Sequence, residues 1–196
     1  MSISYEQVFE SVNLAVTSLT YRWKTYCELF DSGAENLAVL NESGASVFAL
    51  FQRLLLDDTI LALSRLTDPS LSGKEKKNAS FRYLLKYADT KVDPKIITEA
   101  CDILNSLDKR VANARIHRMK ALAHSDLRHA VKDEVLPSIK YDDLEESMQM
   151  CRDIMLKMGT SKMYCVSHNT IVPFGKGPSE LLSRLRNARG YSGNAD

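Results

Sequence analysis

Glycine and proline are scarce in this chain: 8 and 5 of its 196 residues, roughly half the combined share of about 12% in average proteins. A β-sandwich or barrel needs frequent turn residues, and disordered chains are rich in both, so these classes are excluded. Long apolar runs are missing too. No stretch approaches the roughly 18 consecutive apolar residues of a transmembrane helix. The opening MSISYEQVFE has neither the basic nor the apolar region of a secretory signal. No membrane partner is expected, and a cytoplasmic location is. The four cysteines, Cys27, Cys101, Cys151 and Cys165, lie far apart with no CxxC pair. That pattern fits small buried thiols in a reducing compartment, not a disulfide framework or a zinc site. His124 and His129 are five residues apart, on different helix faces, so they do not make the i,i+4 pair of a metal site. No metal and no cofactor are expected. Excess charge of one sign is also absent: 26 basic against 25 acidic side chains gives a net charge of +1.

What is present is a set of long uninterrupted segments, 44% apolar overall. A single domain of this length can bury roughly 70% of its unfolded surface. Ser4 and Gln7 have the spacing of a capping box and open a helix over 5–31. Asp93-Pro94 joins an N-cap to a proline in the first turn. Asp142 and Glu145 repeat the box spacing before a helix over 141–158. Further helices are predicted over 45–67, 80–90 and 94–124, with minor ones over 126–135 and 179–189 and a loop over 68–79. The β-branched segment MYCVSHNTIVPF (163–174) reads as extended. The architecture is all-α, a single-domain bundle of four main helices plus short ones. It occupies residues 1–160, with a C-terminal extension over 161–189 packed on it and a flexible tail over 190–196.

Two helices carry informative residues in odd places. The helix 45–67 is apolar nearly all round, which predicts a central position. Arg53 and Asp57 are four apart and pair along it. Asp58 falls on the stripe Val47, Phe51, Leu54, Leu61, where a carboxylate is costly unless a partner arrives from elsewhere. At its end, Arg65 can pair with Asp68, or Asp68 can simply start the turn at Pro69. In the helix 94–124, a seven-residue spacing puts Ile97, Leu104, Val111 and Arg118 in one row, flanked by Ala100, Leu107, Ala114 and Ala121. Arg118 stands where the pattern asks for an apolar residue. The near-neutral net charge also conceals a local excess. Between Asp108 and Lys132 there are seven basic and two acidic side chains, +5 in all. A helix of that charge attracts phosphates, although a solvated face has the same pattern.

The run Arg118-Met-Lys-Ala-Leu-Ala-His124-Ser-Asp126 resembles the signature of the HEPN superfamily, an arginine, four to six residues, then a histidine at a helix end. A second passage, LALSRLTDPSLSGKEKKNASFRYLL (61–85), resembles the branch allied to phage abortive-infection proteins. The resemblance spans roughly residues 5–160. It implies an all-α dimer whose signature residues face each other across a shared cleft, many members being metal-independent endoribonucleases and others RNA- or nucleotide-binding partners. One departure stands out: the residue after the signature arginine is often Asn, Asp or His, and here it is Met119.

The implied chemistry is physically coherent. RNA's 2′-hydroxyl can attack its neighbouring phosphodiester. A histidine near neutral pKa moves the protons, and an arginine stabilises the charge gathering on phosphorus oxygens. On this reading His124 is the general acid/base and Arg118 the phosphate clamp. Asp58 orients one or the other, Asp126 supports the site or caps a helix, and Arg115, Lys120 and Arg128 contact RNA. The partners implied are RNA or a nucleotide, a second copy of the chain, and an antitoxin or other defence-system protein. Two readings compete: a non-catalytic RNA- or nucleotide-binding module, and a helical interaction protein in which an Arg118–Asp58 ion pair fixes register.

Overall fold

In the computed structural model, which describes residues 3–72, 76–88, 91–122, 126, 131, 135–159 and 177–192, the chain is built from antiparallel helices. The Ser4 hydroxyl accepts from the Gln7 backbone N–H, and the Gln7 side chain accepts from the Ser4 N–H. That reciprocal cap opens α1 (Tyr5–Phe30). Its residues Val8, Val12, Val16, Leu19 and Trp23 recur every three or four positions and are all buried, which makes one apolar stripe. Gly33, at φ 111°, turns the chain back in a conformation that side chains disfavour. α2 (Ala34–Leu66) follows, its backbone leaving helical geometry at Gly44. The predicted helix 45–67 is therefore the longer arm of a helix that begins eleven residues earlier and bends at a glycine.

Thr67 ends α2 by donating its hydroxyl to the Leu63 and Ser64 carbonyls. Within the expected loop 68–79, Leu71–Ser72 and Lys76–Lys77 pair as a small antiparallel hairpin. Asn78 braces its base by donating to the Pro69 carbonyl and the Ser72 hydroxyl. α3 (Phe81–Tyr87) is capped by Ser80, and α4 (Pro94–Arg110) by Asp93. The expected helix 94–124 is not continuous. It breaks at Val111, resumes as α5 (Ala112–His117) and widens into a π turn over Arg118–Leu122. α6 (Tyr141–Met158) starts one residue before Asp142, with Lys140 at the cap position and no side-chain cap. The Asp142–Glu145 box does not form. Asp142 and Asp143 instead sit in the first turn, where the helix dipole favours them, and Glu145 accepts from the Trp23 indole N–H. α7 (Pro178–Ser192) extends three residues into the segment expected to be a tail. The expected strand over 163–174 lies outside the described residues.

The core forms where α1 lies along α2 and α4 lies along α6. Leu19, Leu63, Phe81, Leu84, Leu107, Met148 and Ile154 are fully buried there, each stabilising the fold by roughly 1.5–3 kcal/mol. Tyr5 donates its hydroxyl to the Met158 carbonyl at 2.6 Å, tying the start of α1 to the end of α6. A smaller cluster of Leu29, Phe30, Val39, Leu40 and Leu182 seats α7 across the α1–α2 turn. Cys27 and Cys101 are half-buried and Cys151 is buried, all with free thiols. Burial pushes the Cys151 thiol up to about 12.

Candidate functional site

The heptad rows of α4 and α5 explain where Arg118 lies. Ala100, Leu104, Leu107, Val111 and Ala114 alternate every four and three residues and are all buried. The next member of the seam is Arg118. Core packing stops there, and the backbone widens into the π turn, a geometry often found at functional sites. The Arg118 guanidinium reaches the end of α2, where Nη1 donates to Asp68 Oδ1 at 2.7 Å. The side chains are 27% and 24% exposed. The pair is thus partly desolvated yet open to a ligand from one side.

Behind it lies a second tier. Arg115 donates through Nη2 to the Thr67 carbonyl at 3.0 Å and to Asp108. Arg82 of α3 pairs with the other oxygen of Asp108. Arg115 therefore does not reach toward flanking phosphates as expected. It places a cation at the C-terminus of α2, where the helix dipole is negative, and fixes α5 against Thr67-Asp68. Three arginines and two aspartates meet at this junction, leaving one excess positive charge.

Asp58 does not join it. Ten residues before Asp68 on the same helix, it lies on the order of 15 Å away along the axis. The cation that balances its charge is Arg22 of α1. The expected pairing of Asp58 with Arg118 is replaced by two separate ion pairs, Asp58–Arg22 and Asp68–Arg118. Arg53 and Asp57 do approach each other, at 3.6 Å.

Of the remaining candidates, Lys120 lies half-buried on the π turn, and its carbonyl accepts from the Asp126 N–H at 3.1 Å. Asp126 thus meets the helix end through its backbone. Met119 projects from the same turn, 58% exposed. His117 bonds through Nε2 to the Pro137 carbonyl at 2.7 Å, and Asn113 donates to the Ser138 carbonyl at 2.8 Å; together they pin residues 137–138 to α5. His124 and Arg128 lie outside the described residues. Among the described residues, no three His, Cys, Asp or Glu side chains gather where they could hold a metal ion, and no helix is long and apolar enough to cross a membrane.

Asp68 and Asp108 were not singled out as members of the site. The signal for Asp68 was the ArgLeuThrAsp passage at the end of α2. Asp108 had none, because its partners lie 26 residues before it and 7 after.

No curated protein and no solved structure matches the chain at a significant level. The HEPN domain family AbiU2 matches residues 5–160, a span that includes α1 to α6, both arginine–aspartate tiers and the whole signature run from Arg118 to Asp126. The arginine at the broken end of the helix seam therefore has its family: the chain belongs to the AbiU2 family of HEPN domains and is an abortive-infection HEPN protein.

Proposed function

We propose that this protein is a metal-independent endoribonuclease of a phage-defence or toxin-like system, with Arg118 as phosphate clamp and His124 as general acid/base. The observation that carries this reading is the Arg118–Asp68 pair at the π turn. Asp68 engages one guanidinium nitrogen and so orients the planar fork. A partly exposed fork held this way is suited to a bidentate phosphate contact. The excess positive charge of the junction favours an anion there.

The reaction needs little else. The 2′-oxygen forms a bond to phosphorus and the bond to the 5′-oxygen breaks. His124 takes the 2′ proton, and an imidazolium returns one to the leaving oxygen. The products are a 2′,3′-cyclic phosphate and a 5′-hydroxyl. Arg118 stabilises the charge that builds on the non-bridging oxygens. An antitoxin or other defence-system protein would hold such an activity in check before infection.

A second reading has its own observation. Met119 puts an exposed apolar side chain on the turn that in many relatives carries a polar residue, which suits a site that binds RNA or a nucleotide without turning it over. One experiment separates the two: end-labelled RNA incubated with wild type, His124→Ala and Arg118→Ala, the fold checked by circular dichroism. The nuclease reading expects cyclic-phosphate products from wild type, unaffected by a chelator. It expects rates lowered by about 10²-fold or more in His124→Ala. Cleavage unchanged in His124→Ala overturns it. Salt-sensitive binding with no product from wild type assigns the binding module.

A further inference from the structure

The arm of α2 over residues 45–54 is the least satisfied part of the molecule. Its sequence, ASVFALFQRL, is apolar around most of the helix, the pattern of a buried element. Yet Val47, Leu50, Phe51 and Leu54 are each 48 to 54% exposed, and no described element covers them. Beside them opens a cleft of about 500 Å³, lined by Leu29, Phe48, Phe51, Leu54, Leu55 and Leu181, with Asp58 and Thr25 at its polar rim.

Ridge and cleft are offset along the same helix. Val47 and Leu50 project toward its N-terminal side, and the cleft is centred a few residues further on. We infer that a second copy of this chain covers this face, its α2 arm packed antiparallel about a two-fold axis near Phe51. A two-fold interface must be self-complementary. With the axis perpendicular to the helices, the ridge of each copy enters the cleft of the other. With the helices parallel, ridge would meet ridge and cleft would meet cleft.

Area and charge fit the same occupant. Five large side chains about half exposed offer on the order of 400 Å² of apolar surface per copy. A standard interface takes roughly 800 Å² per partner, a little over half of it apolar. The face carries both signs, Arg22 with Asp58 and Arg53 with Asp57, and the chain's net charge of +1 sets up no appreciable self-repulsion. The arrangement has a geometric consequence. Asp68 is seventeen residues beyond the axis, so each Arg118 junction lies about 25 Å from it along the helix. Each copy keeps its own junction, unlike the shared cleft that the resemblance implies.

Sedimentation velocity on the full chain from about 1 to 100 μM, the range in which interfaces of this size populate, tests the pairing. Wild type should show a monomer–dimer equilibrium. Leu50→Glu should weaken it about tenfold or more, while Leu14→Glu, an exposed leucine on α1 away from the stripe, leaves it unchanged. Leu50→Ala, which introduces no charge, should weaken it in the same direction. Because these positions are half exposed, circular dichroism should be unaltered. Mild oxidation reads the geometry: Phe51→Cys should cross-link between chains above the wild-type background, and Arg65→Cys should not. A monomer throughout, or a dimer indifferent to both Leu50 variants, overturns the proposal. Cross-linking at position 65 without cross-linking at 51 does so as well.

Discussion

The two arms of one helix make opposite use of similar sequences. Beyond Asp58, α2 buries Thr59, Ile60, Leu63, Ser64 and Leu66. Before it, Val47, Leu50, Phe51 and Leu54 remain about half exposed. Both stretches are dominated by leucine, alanine and aromatic or β-branched residues, and both are intrinsically good helix. The difference lies in the neighbours. Leu63 and Leu66 share one core with α1, α3, α4 and α6, whereas the earlier arm has only the end of α1 and the short α7 beside it. Apolarity tells that a helix will be covered; it does not tell by what.

Leu63→Ala, in the buried arm, should give the largest loss of stability, about 2–5 kcal/mol by urea denaturation. Leu50→Ala should stay within about 0.5 kcal/mol when measured on dilute monomer. Equal losses would break the contrast between the arms. Next comes the charged end of the buried arm. Arg115→Ala leaves the Thr67 carbonyl and Asp108 without their cation and should cost about 1–3 kcal/mol, with Arg115→Lys recovering only part.

The core also predicts a response to alkali. Burial pushes the Tyr5 hydroxyl up to about 12 from 10 and the Cys151 thiol up to about 12 from 9. Both folded values are raised, so the stability tied to them is fully present below pH 9. It declines as pH rises toward 12, because the unfolded chain loses these protons first. Urea midpoints should therefore fall between pH 8 and 10.5, and less steeply in Tyr5→Phe. An unchanged midpoint would mean that neither group is as enclosed as the packing implies.

The smallest effect belongs to the border between the arms. Asp58→Asn removes a half-exposed pair with Arg22 and should cost at most about 1 kcal/mol. Combined with Asp68→Asn it should be additive, since the two pairs share no partner. Measurable coupling between them would return Asp58 to the Arg118 site.

Much of the fold was legible because its signals are local. The Ser4–Gln7 box, the Asp93-Pro94 start and the seven-residue seam through Leu104, Leu107 and Val111 each depend on residues within a turn or two of one another. Caps failed where a competing contact won: Glu145 was drawn to the Trp23 indole, and no box formed. The site was half legible. Arg118 was visible as a charge in an apolar row, and Arg53–Asp57 as an i,i+4 pair. Its carboxylate partner was not, because Asp58 and Asp68 both sit on or beside α2 and only tertiary packing decides which one meets α5. The second tier of Arg82, Asp108 and Arg115 was illegible for the same reason: its members are set by the crossing of three helices.

The π turn at Arg118–Leu122 has a last consequence, one of counting. A turn closed from i to i+5 holds one residue more than an α-turn. In effect the helix has absorbed an insertion at its end without disturbing the residues before it, so that Arg118 stays against Asp68. Deleting Lys120 should let the end rewind as ordinary α-helix and shorten the interval from Arg118 to His124 from five residues to four. Both lengths fall within the signature's range of four to six, so the elastic quantity in this motif is the width of a helical turn.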